Sequence, residues 1–192
     1  FTVRQGAIKA VIGPNGAGKT TLFNLISGAL VPDAGEVAIN GARIQGRPPH
    51  RIARHGISRT FQNIKLFSRM SVLENVMVGR PIRSGAGFLP AMLPLPAARR
   101  EEREILEKSM ELLSFLGIDD LAGQEATSLP FGKQRIVEFA RALATEPVLL
   151  LLDEPAAGLN IYETAQISDI ISTIRERGVT VLVIEHDMSL VM

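Results

Sequence analysis

Eight consecutive residues near the start of the chain, Gly-Pro-Asn-Gly-Ala-Gly-Lys-Thr, constrain its fold more than any other segment. A short apolar and β-branched run, residues 8–12, precedes them, and apolar positions at helical spacing follow in residues 20–30. A glycine-rich turn between a strand and a helix can fold its backbone N–H groups around phosphate oxygens. The segment therefore predicts a phosphate-binding loop, consisting of Gly13, Pro14, Asn15, Gly16, Ala17, Gly18, Lys19 and Thr20.

Three side chains at the end of this loop carry the chemistry expected of it. Lys19 would reach the outer phosphates of a nucleotide, the hydroxyl of Thr20 would bind Mg²⁺, and Thr21 completes the predicted nucleotide-binding residues. An ordinary glycine-rich turn is the alternative, but the flanking strand and helix are the context that a phosphate loop requires. A dinucleotide-binding fold is disfavoured, because its motif lacks the Lys-Thr pair and needs an acidic residue about 20 positions later.

A second motif follows the apolar run of residues 148–152, whose continuous hydrophobicity is typical of a strand buried on both faces of a parallel sheet. Asp153 and Glu154 come directly after it, at the strand end where ligands of such sheets bind. Asp153 would hold Mg²⁺, usually through water, and Glu154 would orient or deprotonate the attacking water. Asp-Glu-Pro could also be ordinary turn chemistry, but its combination with the phosphate loop disfavours that interpretation.

Strands alternating with helices predict an α/β fold of the P-loop NTPase type, with a mainly parallel central sheet. We expect one domain over residues 1–192, truncated at both ends, with a small N-terminal β portion and a helical subdomain inserted at about residues 71–144. Residues 80–98, rich in Gly and Pro, should be irregular. The further strands are predicted at residues 37–39, 57–61 and 179–184, and the further helices at residues 72–78, 98–116 and 132–144.

Composition excludes several classes of function. The 21 Lys and Arg against 20 Asp and Glu leave a net charge of +1, so charge alone would recruit neither nucleic acid nor anionic lipid. The absence of cysteine excludes disulfides and thiolate metal sites. No segment approaches the roughly 20 apolar residues that a membrane-spanning helix needs.

Beyond the two phosphate-binding motifs, the chain resembles the ABC ATPase family over nearly its whole length. The resemblance rests on residues 60–62 (Thr-Phe-Gln), 129–134, 158–160 and His186. It implies that Gln62 links Mg²⁺ and the attacking water to a membrane subunit, and that His186 contacts the γ-phosphate of ATP. Without the resemblance, Gln62 would be read as a structural surface residue and His186 as either a ligand or a loop residue.

Residues 129–134 (Leu-Pro-Phe-Gly-Lys-Gln) occupy the place of the family's signature, usually Leu-Ser-Gly-Gly-Gln, and depart from it at three of those five positions. In the family this loop binds the nucleotide held by the opposite subunit of a head-to-tail dimer. Pro130 has neither a hydroxyl nor an N–H, which leaves Gly132 and Lys133 as the contacts across the dimer. We expect a weaker dimer but an active enzyme, and residues 157–160 resemble the loop that crosses the dimer interface.

Residues 154–160 and 184–188, together with the proline-containing insertion, are most similar to the branched-chain amino acid importer ATPases. The resemblance implies ATP and Mg²⁺ as cofactors, and transmembrane permease subunits and a second ABC ATPase subunit as partners. A solute-binding protein would be engaged only indirectly, and nucleic acid not directly. The expected location is the cytoplasmic face of the inner membrane, as a peripheral subunit.

Three alternative functions remain open from the sequence. An ATPase of lipopolysaccharide export shares much of the pattern, and a soluble ABC ATPase acting on nucleic acid is disfavoured because the chain has one cassette and only a short insertion. A degenerate regulatory cassette is suggested by Pro130 and Phe131. ATP hydrolysis that depends on Glu154 would exclude this last alternative.

Overall fold

The computed structural model describes residues 1–80 and 96–185 of the chain. The strands in these ranges are β1 (Ile8–Ile12), β2 (Ala38–Ile39), β3 (Ala42–Arg43), β4 (Ile57–Arg59), β5 (Leu149–Asp153) and β6 (Thr180–Glu185). The α-helices are α1 (Lys19–Ile26), α2 (Pro49–Arg54), α3 (Val72–Met77), α4 (Pro96–Phe115), α5 (Phe131–Leu143) and α6 (Ile161–Glu176). The chain forms two compact units, the first made of Phe1–Asn63 and the chain from Glu146 onward, the second of Ile64–Thr145.

A four-stranded parallel sheet in the order β1-β6-β5-β4 is the centre of the first unit. Ile12 pairs with Glu185, Asp153 pairs with Ile184, and Arg59 pairs with Leu151. Because all these strands run in the same direction, their carboxyl ends lie along one edge of the sheet. The residues that follow β1, β4 and β5 are therefore brought together there, although they are far apart in sequence.

The core of the first unit forms where apolar side chains of the sheet pack against helices α1 and α2. Leu151, Leu182 and Ile184 are fully buried in this cluster, together with Phe23 of α1 and Ile52 of α2. Each such side chain contributes about 1.5–3 kcal/mol through its burial. This packing fixes α1, and with it the loop between β1 and α1, against the sheet.

The second unit is mainly helical, and its helices begin with clear local signals. Ser71 precedes α3 and accepts a hydrogen bond from the Glu74 N–H, while the Glu74 carboxylate accepts one from the Ser71 N–H. This reciprocal capping satisfies two N–H groups that would otherwise lack partners at the start of a helix. Most residues of helix α5 are buried, and its Arg135 and Glu138 form an ion pair inside the unit.

Helix α1 ends at Ile26, four residues before the end predicted from the apolar spacing. Gly28 has a φ of 75°, and a Cβ there would lie 2.6 Å from the carbonyl oxygen of Arg47. A helix cannot continue through this left-handed, crowded position. Apolar residues continue beyond Gly28 in the sequence, and for this reason the predicted helix was longer than the observed one.

Two other predicted boundaries also differ from the structure. Strand β4 ends at Arg59 instead of residue 61, although the Thr60 N–H still donates to the Leu151 carbonyl at 2.9 Å. Helix α4 begins at Pro96, inside the stretch predicted to be irregular, and proline is well tolerated in the first turn of a helix. Residues 81–95 of that stretch lie outside the described part of the chain.

Within residues 1–80 and 96–185, no helix combines the length and the apolar character needed to cross a bilayer.

Candidate nucleotide-binding site

The loop between β1 and α1 has the backbone that its glycines predict. Gly16 and Gly18 have φ values of 82° and 84°, a left-handed conformation that residues with a side chain rarely adopt. Helix α1 starts directly after Gly18, with no side chain capping its N-terminus and no acidic residue in its first turn. Its first N–H groups and the positive end of its dipole therefore form a site suited to an anion such as phosphate.

Lys19 is the buried cation of this loop. Its ammonium donates hydrogen bonds to the carbonyl oxygens of Gly13 and, at 3.0 Å, Pro14. These two bonds use two of the three ammonium donors and hold the charge against its own loop. Thr20 and Thr21, by contrast, are exposed at the start of α1.

Asp153 is the last residue of β5 and is almost completely buried. Its Oδ2 accepts a hydrogen bond of 2.9 Å from the guanidinium of Arg59, the last residue of β4. Arg59 was not among the site residues predicted from the sequence. The signal that could have found it is a charged residue inside a predicted strand of the sheet, because a charge that becomes buried there needs a partner of opposite sign.

Glu154 has a φ of 47°, a left-handed conformation that is uncommon for a residue other than glycine. Its N–H donates to the Ile184 carbonyl at 3.0 Å, and its Oε2 accepts a hydrogen bond of 2.8 Å from Nε2 of Gln62. Such strain costs about 1–3 kcal/mol and persists where the surrounding structure imposes it. The structure thus joins the two residues predicted to act on the attacking water.

The signature-like segment lies in the second unit, at the start of α5. Pro130 directly precedes the helix, Gly132 is buried and Lys133 is partly exposed. Nε2 of Gln134 donates to the carbonyl oxygens of Thr127 and Leu129, at 3.2 and 2.8 Å. The side chain of Gln134 therefore stabilises the loop that precedes α5. The first turn of α5 contains no acidic residue that would repel an anion.

The loop before α6 is shaped by Gly158 and Asn160. Gly158 has a φ of 79°, which allows the chain to turn there. The Asn160 side chain accepts a hydrogen bond from the Glu163 N–H at 3.0 Å, and the Glu163 carboxylate accepts one from the Asn160 N–H at 3.0 Å. The side chain of Asn160 therefore acts as a helix cap in this structure.

Among the predicted site residues, the first unit holds the phosphate loop, Gln62, Asp153 and Glu154 at the carboxyl edge of its sheet. Gly132 and Lys133 belong to the second unit. His186 lies outside the described residues, so its contact with the γ-phosphate stays a prediction.

The residues at the sheet edge fit a magnesium ion held together with a phosphate ligand. The described part of the chain contains no group of three or more His, Cys, Asp or Glu residues that could hold a metal ion by itself. Mg²⁺ is commonly bound through only one or two carboxylates, with the remaining ligands coming from phosphate and water. Asp153 and the Thr20 hydroxyl suit this mode of binding.

Comparison with known proteins places this geometry in context. The family model described as ABC transporter matches residues 1–157. The high-affinity branched-chain amino acid transport ATP-binding protein BraF of Pseudomonas aeruginosa is 45% identical over 191 residues, which cover 99% of this chain and 75% of BraF. The corresponding protein LivG of Escherichia coli is 41% identical over 186 residues, covering 96% of this chain and 73% of LivG.

The solved structures that resemble this chain are also ATP-binding cassettes of ABC transporters. The ADP conformation of the ATP-binding cassette MJ1267 has a TM-score of 0.83 and 34% identity, covering 98% of this chain and 74% of that cassette. The dimeric structure of the cassette MJ0796 has a TM-score of 0.80 and 25% identity, covering 99% of this chain and 79% of that cassette. These relatives give no support to lipopolysaccharide export, nucleic-acid or regulatory functions.

Proposed function

The chain belongs to the ABC transporter family as an ATP-binding, ATP-hydrolysing subunit, and we propose that it powers the import of branched-chain amino acids. The observation that carries the proposal is the parallel register, which brings the phosphate loop, Gln62, Asp153 and Glu154 to one edge of the sheet. The cargo is inferred from BraF and LivG, whose names state branched-chain amino acid transport.

Phosphate binding would be the work of the loop and of α1. The first N–H groups of α1 and the glycine-rich backbone would surround the phosphate oxygens. Lys19 would exchange its hydrogen bonds to the loop carbonyls for the outer phosphates, so its positive charge would be available without a large movement. Thr20, Gln62 and Asp153 would hold Mg²⁺, which neutralises phosphate charge when bound with ATP.

Hydrolysis requires a water molecule aligned with the γ-phosphate, and Glu154 is the residue that would orient it or take its proton. Its hydrogen bond to Gln62 fixes the carboxylate and links it to the segment that follows β4. His186 would contribute a contact to the γ-phosphate, as the family resemblance implies.

The working form would be a dimer, as the dimeric structure of the related cassette MJ0796 suggests, and the family resemblance implies a head-to-tail arrangement. Gly132 and Lys133 of one subunit would approach the nucleotide of the other. Transmembrane permease subunits would be the further partners, and the chain would lie at the cytoplasmic face of the inner membrane as a peripheral subunit.

The test is ATP turnover with Mg²⁺ by the full-length protein and by its Glu154→Gln variant, alongside size-exclusion chromatography with ATP. We expect Glu154→Gln to lower turnover by about 10²–10⁴-fold, because the group that activates water is lost while binding is kept. It should also trap a dimer loaded with ATP.

The matched control is Glu176→Gln, which makes the same chemical change at an exposed position near the end of α6. It should leave turnover unchanged. Full turnover by Glu154→Gln would contradict the catalytic assignment. The cargo is tested separately, by ATP-dependent leucine uptake into vesicles that contain the complete transporter, and absence of uptake would contradict the import proposal alone.

A further inference from the structure

We infer that Arg59 is a positioning residue that holds the Asp153 carboxylate in the orientation needed to bind the magnesium–nucleotide complex. The inference rests on the proposed function, because Asp153 has this task only if the chain binds ATP with Mg²⁺. Neither the phosphate-loop pattern nor the Asp-Glu motif includes Arg59, which lies at the end of β4.

The guanidinium of Arg59 connects the two elements that form the site. One terminal nitrogen donates to Asp153 Oδ2 at 2.9 Å. The other donates to Asn24 Oδ1 at 2.7 Å and to Ser27 Oγ at 3.3 Å. Asn24 lies in α1, the helix that begins with the phosphate-binding Lys19, and Ser27 directly follows that helix. A single planar group therefore ties the carboxylate of β5 to the helix of the phosphate loop.

Two aromatic rings fix the plane of this group. The Cζ atom of Arg59 lies 5.6 Å from the centre of the Phe23 ring and 5.4 Å from that of Phe61. Arginine stacks on aromatic faces while its donors remain in a rigid fork, which a lysine ammonium cannot reproduce. Packing against these two rings consequently supports the direction of the hydrogen bond to Asp153.

Stability alone does not explain the arrangement. A buried ion pair is seldom more stabilising than apolar side chains of the same volume, because both charges lose their hydration. In addition, Nε of Arg59 is buried and has no hydrogen-bond partner among the described residues. An apolar side chain here would avoid both costs, so we assign the pair to orientation of Asp153.

The consequence for Asp153 would be a division of tasks between its two oxygens. Oδ2 accepts the hydrogen bond from Arg59, and Oδ1 would hold a water molecule bound to Mg²⁺. Partners that orient a metal-binding carboxylate commonly contribute 10–100-fold to metal affinity. Arg59 should therefore influence how strongly Mg²⁺ increases ATP binding, and have little effect on ATP binding without Mg²⁺.

The experiment measures the affinity of the full-length protein for a fluorescent ATP analogue, once with Mg²⁺ and once with EDTA. Binding of Mn²⁺ with ATP, followed by electron paramagnetic resonance, gives an independent value for the metal. We expect Arg59→Gln to weaken metal-dependent binding by about 10–100-fold and to leave binding in EDTA unchanged. Arg59→Lys, which keeps the charge but not the fork, should give an intermediate loss.

Two further variants keep the test decisive. Arg43→Gln is the matched control, because Arg43 is an exposed arginine paired with Glu36 at the surface, and it should change neither affinity. Asn24→Ala removes one anchor of Arg59 while Asp153 keeps its ion pair, so it should give a smaller loss of the same metal-dependent kind even if Arg59→Gln folds poorly.

Equal or tighter metal-dependent binding by Arg59→Gln and Asn24→Ala would overturn the inference. So would equal losses with Mg²⁺ and with EDTA, since Arg59 would then support the fold or the loop in general. If the unaltered protein bound no ATP under either condition, the proposed function would fail first, so the two failures can be told apart.

Discussion

Lys19 illustrates how much of the site depends on single side chains. Its ammonium is buried and is held by the carbonyl oxygens of its own loop, so the protein keeps a positive charge at the phosphate site by local hydrogen bonds. No described salt bridge involves Lys19, and no acidic residue lies in the first turn of α1. The charge is therefore not neutralised by a nearby carboxylate in that turn.

Replacing Lys19 by alanine should weaken ATP binding by about 3 kcal/mol, on the order of a hundredfold, because a charged hydrogen bond to phosphate is lost. Equilibrium binding of ATP to the full-length protein checks this. The control is Lys108→Ala, which removes an exposed ammonium paired with Glu104 in α4. This variant should bind ATP with the same affinity as the unaltered protein. Normal ATP affinity in Lys19→Ala would show that the loop binds phosphate through its backbone alone.

Arg59 shows the limit of prediction at the same scale. The phosphate loop and the Asp-Glu pair are contiguous in sequence, so pattern and spacing were enough to place them. Arg59 and Asp153 are 94 residues apart in the sequence, and the other hydrogen-bond acceptors of Arg59 lie in α1 and directly after it. Side-chain partners at such separations depend on strand order, which the sequence pattern does not specify.

Secondary structure elements were predicted best where an apolar run was unbroken. Strands β5 and β6 lie within one residue of their predicted limits, because burial on both faces requires continuous hydrophobicity. Helix α1 was predicted too long, since apolar spacing does not register a left-handed glycine such as Gly28. Helix ends are thus decided by backbone geometry and caps, which hydrophobic periodicity does not report.

Helix α3 provides a prediction at this scale through its capping box. Ser71→Ala should lower the free energy of unfolding by about 1 kcal/mol, because the Glu74 N–H loses its acceptor. Urea unfolding followed by circular dichroism measures the change. Ser114→Ala, at an exposed position inside α4, is the control and should have a much smaller effect. An equal effect of both variants would contradict the capping role.

The same cap predicts a dependence on pH. The hydrogen bond from the Ser71 N–H lowers the pKa of Glu74, with a smaller contribution from the Ser71 side chain. Because the folded-state pKa is the lower one, the stabilisation is present above the unfolded pKa and is lost as pH falls through the folded pKa. Glu74→Gln should therefore lose less stability than the unaltered protein as the pH falls below the ordinary glutamate pKa of 4.5, measured by urea unfolding. Identical pH profiles would rule out this contribution.

At the scale of the whole molecule, the signature-like segment should set the strength of the proposed dimer. Pro130 stands immediately before α5 and supplies neither a hydroxyl nor an N–H to a nucleotide of the partner subunit. We therefore expect weaker association than a serine at this position would give. The related cassette MJ0796 is dimeric.

Pro130→Ser in a Glu154→Gln background should tighten the ATP-dependent dimer by about 1 kcal/mol, roughly fivefold, through a hydrogen bond from the added hydroxyl or from the restored N–H. Sedimentation at several protein concentrations gives the dimerisation constant. Pro130→Ala restores the N–H without the hydroxyl and so separates the two contributions. A dimer that is unchanged or weakened by serine would show that Pro130 is already suited to this interface.

The left-handed backbone of Glu154 has a consequence for how the protein can be made more durable. Glycine adopts this conformation without strain, so Glu154→Gly should relax the turn after β5 while removing the proposed catalytic carboxylate. Thermal stability and ATP turnover therefore favour different residues at position 154. Directed evolution of this protein for thermal stability, without selection for ATP hydrolysis, would therefore favour replacement of Glu154, on which hydrolysis is proposed to depend.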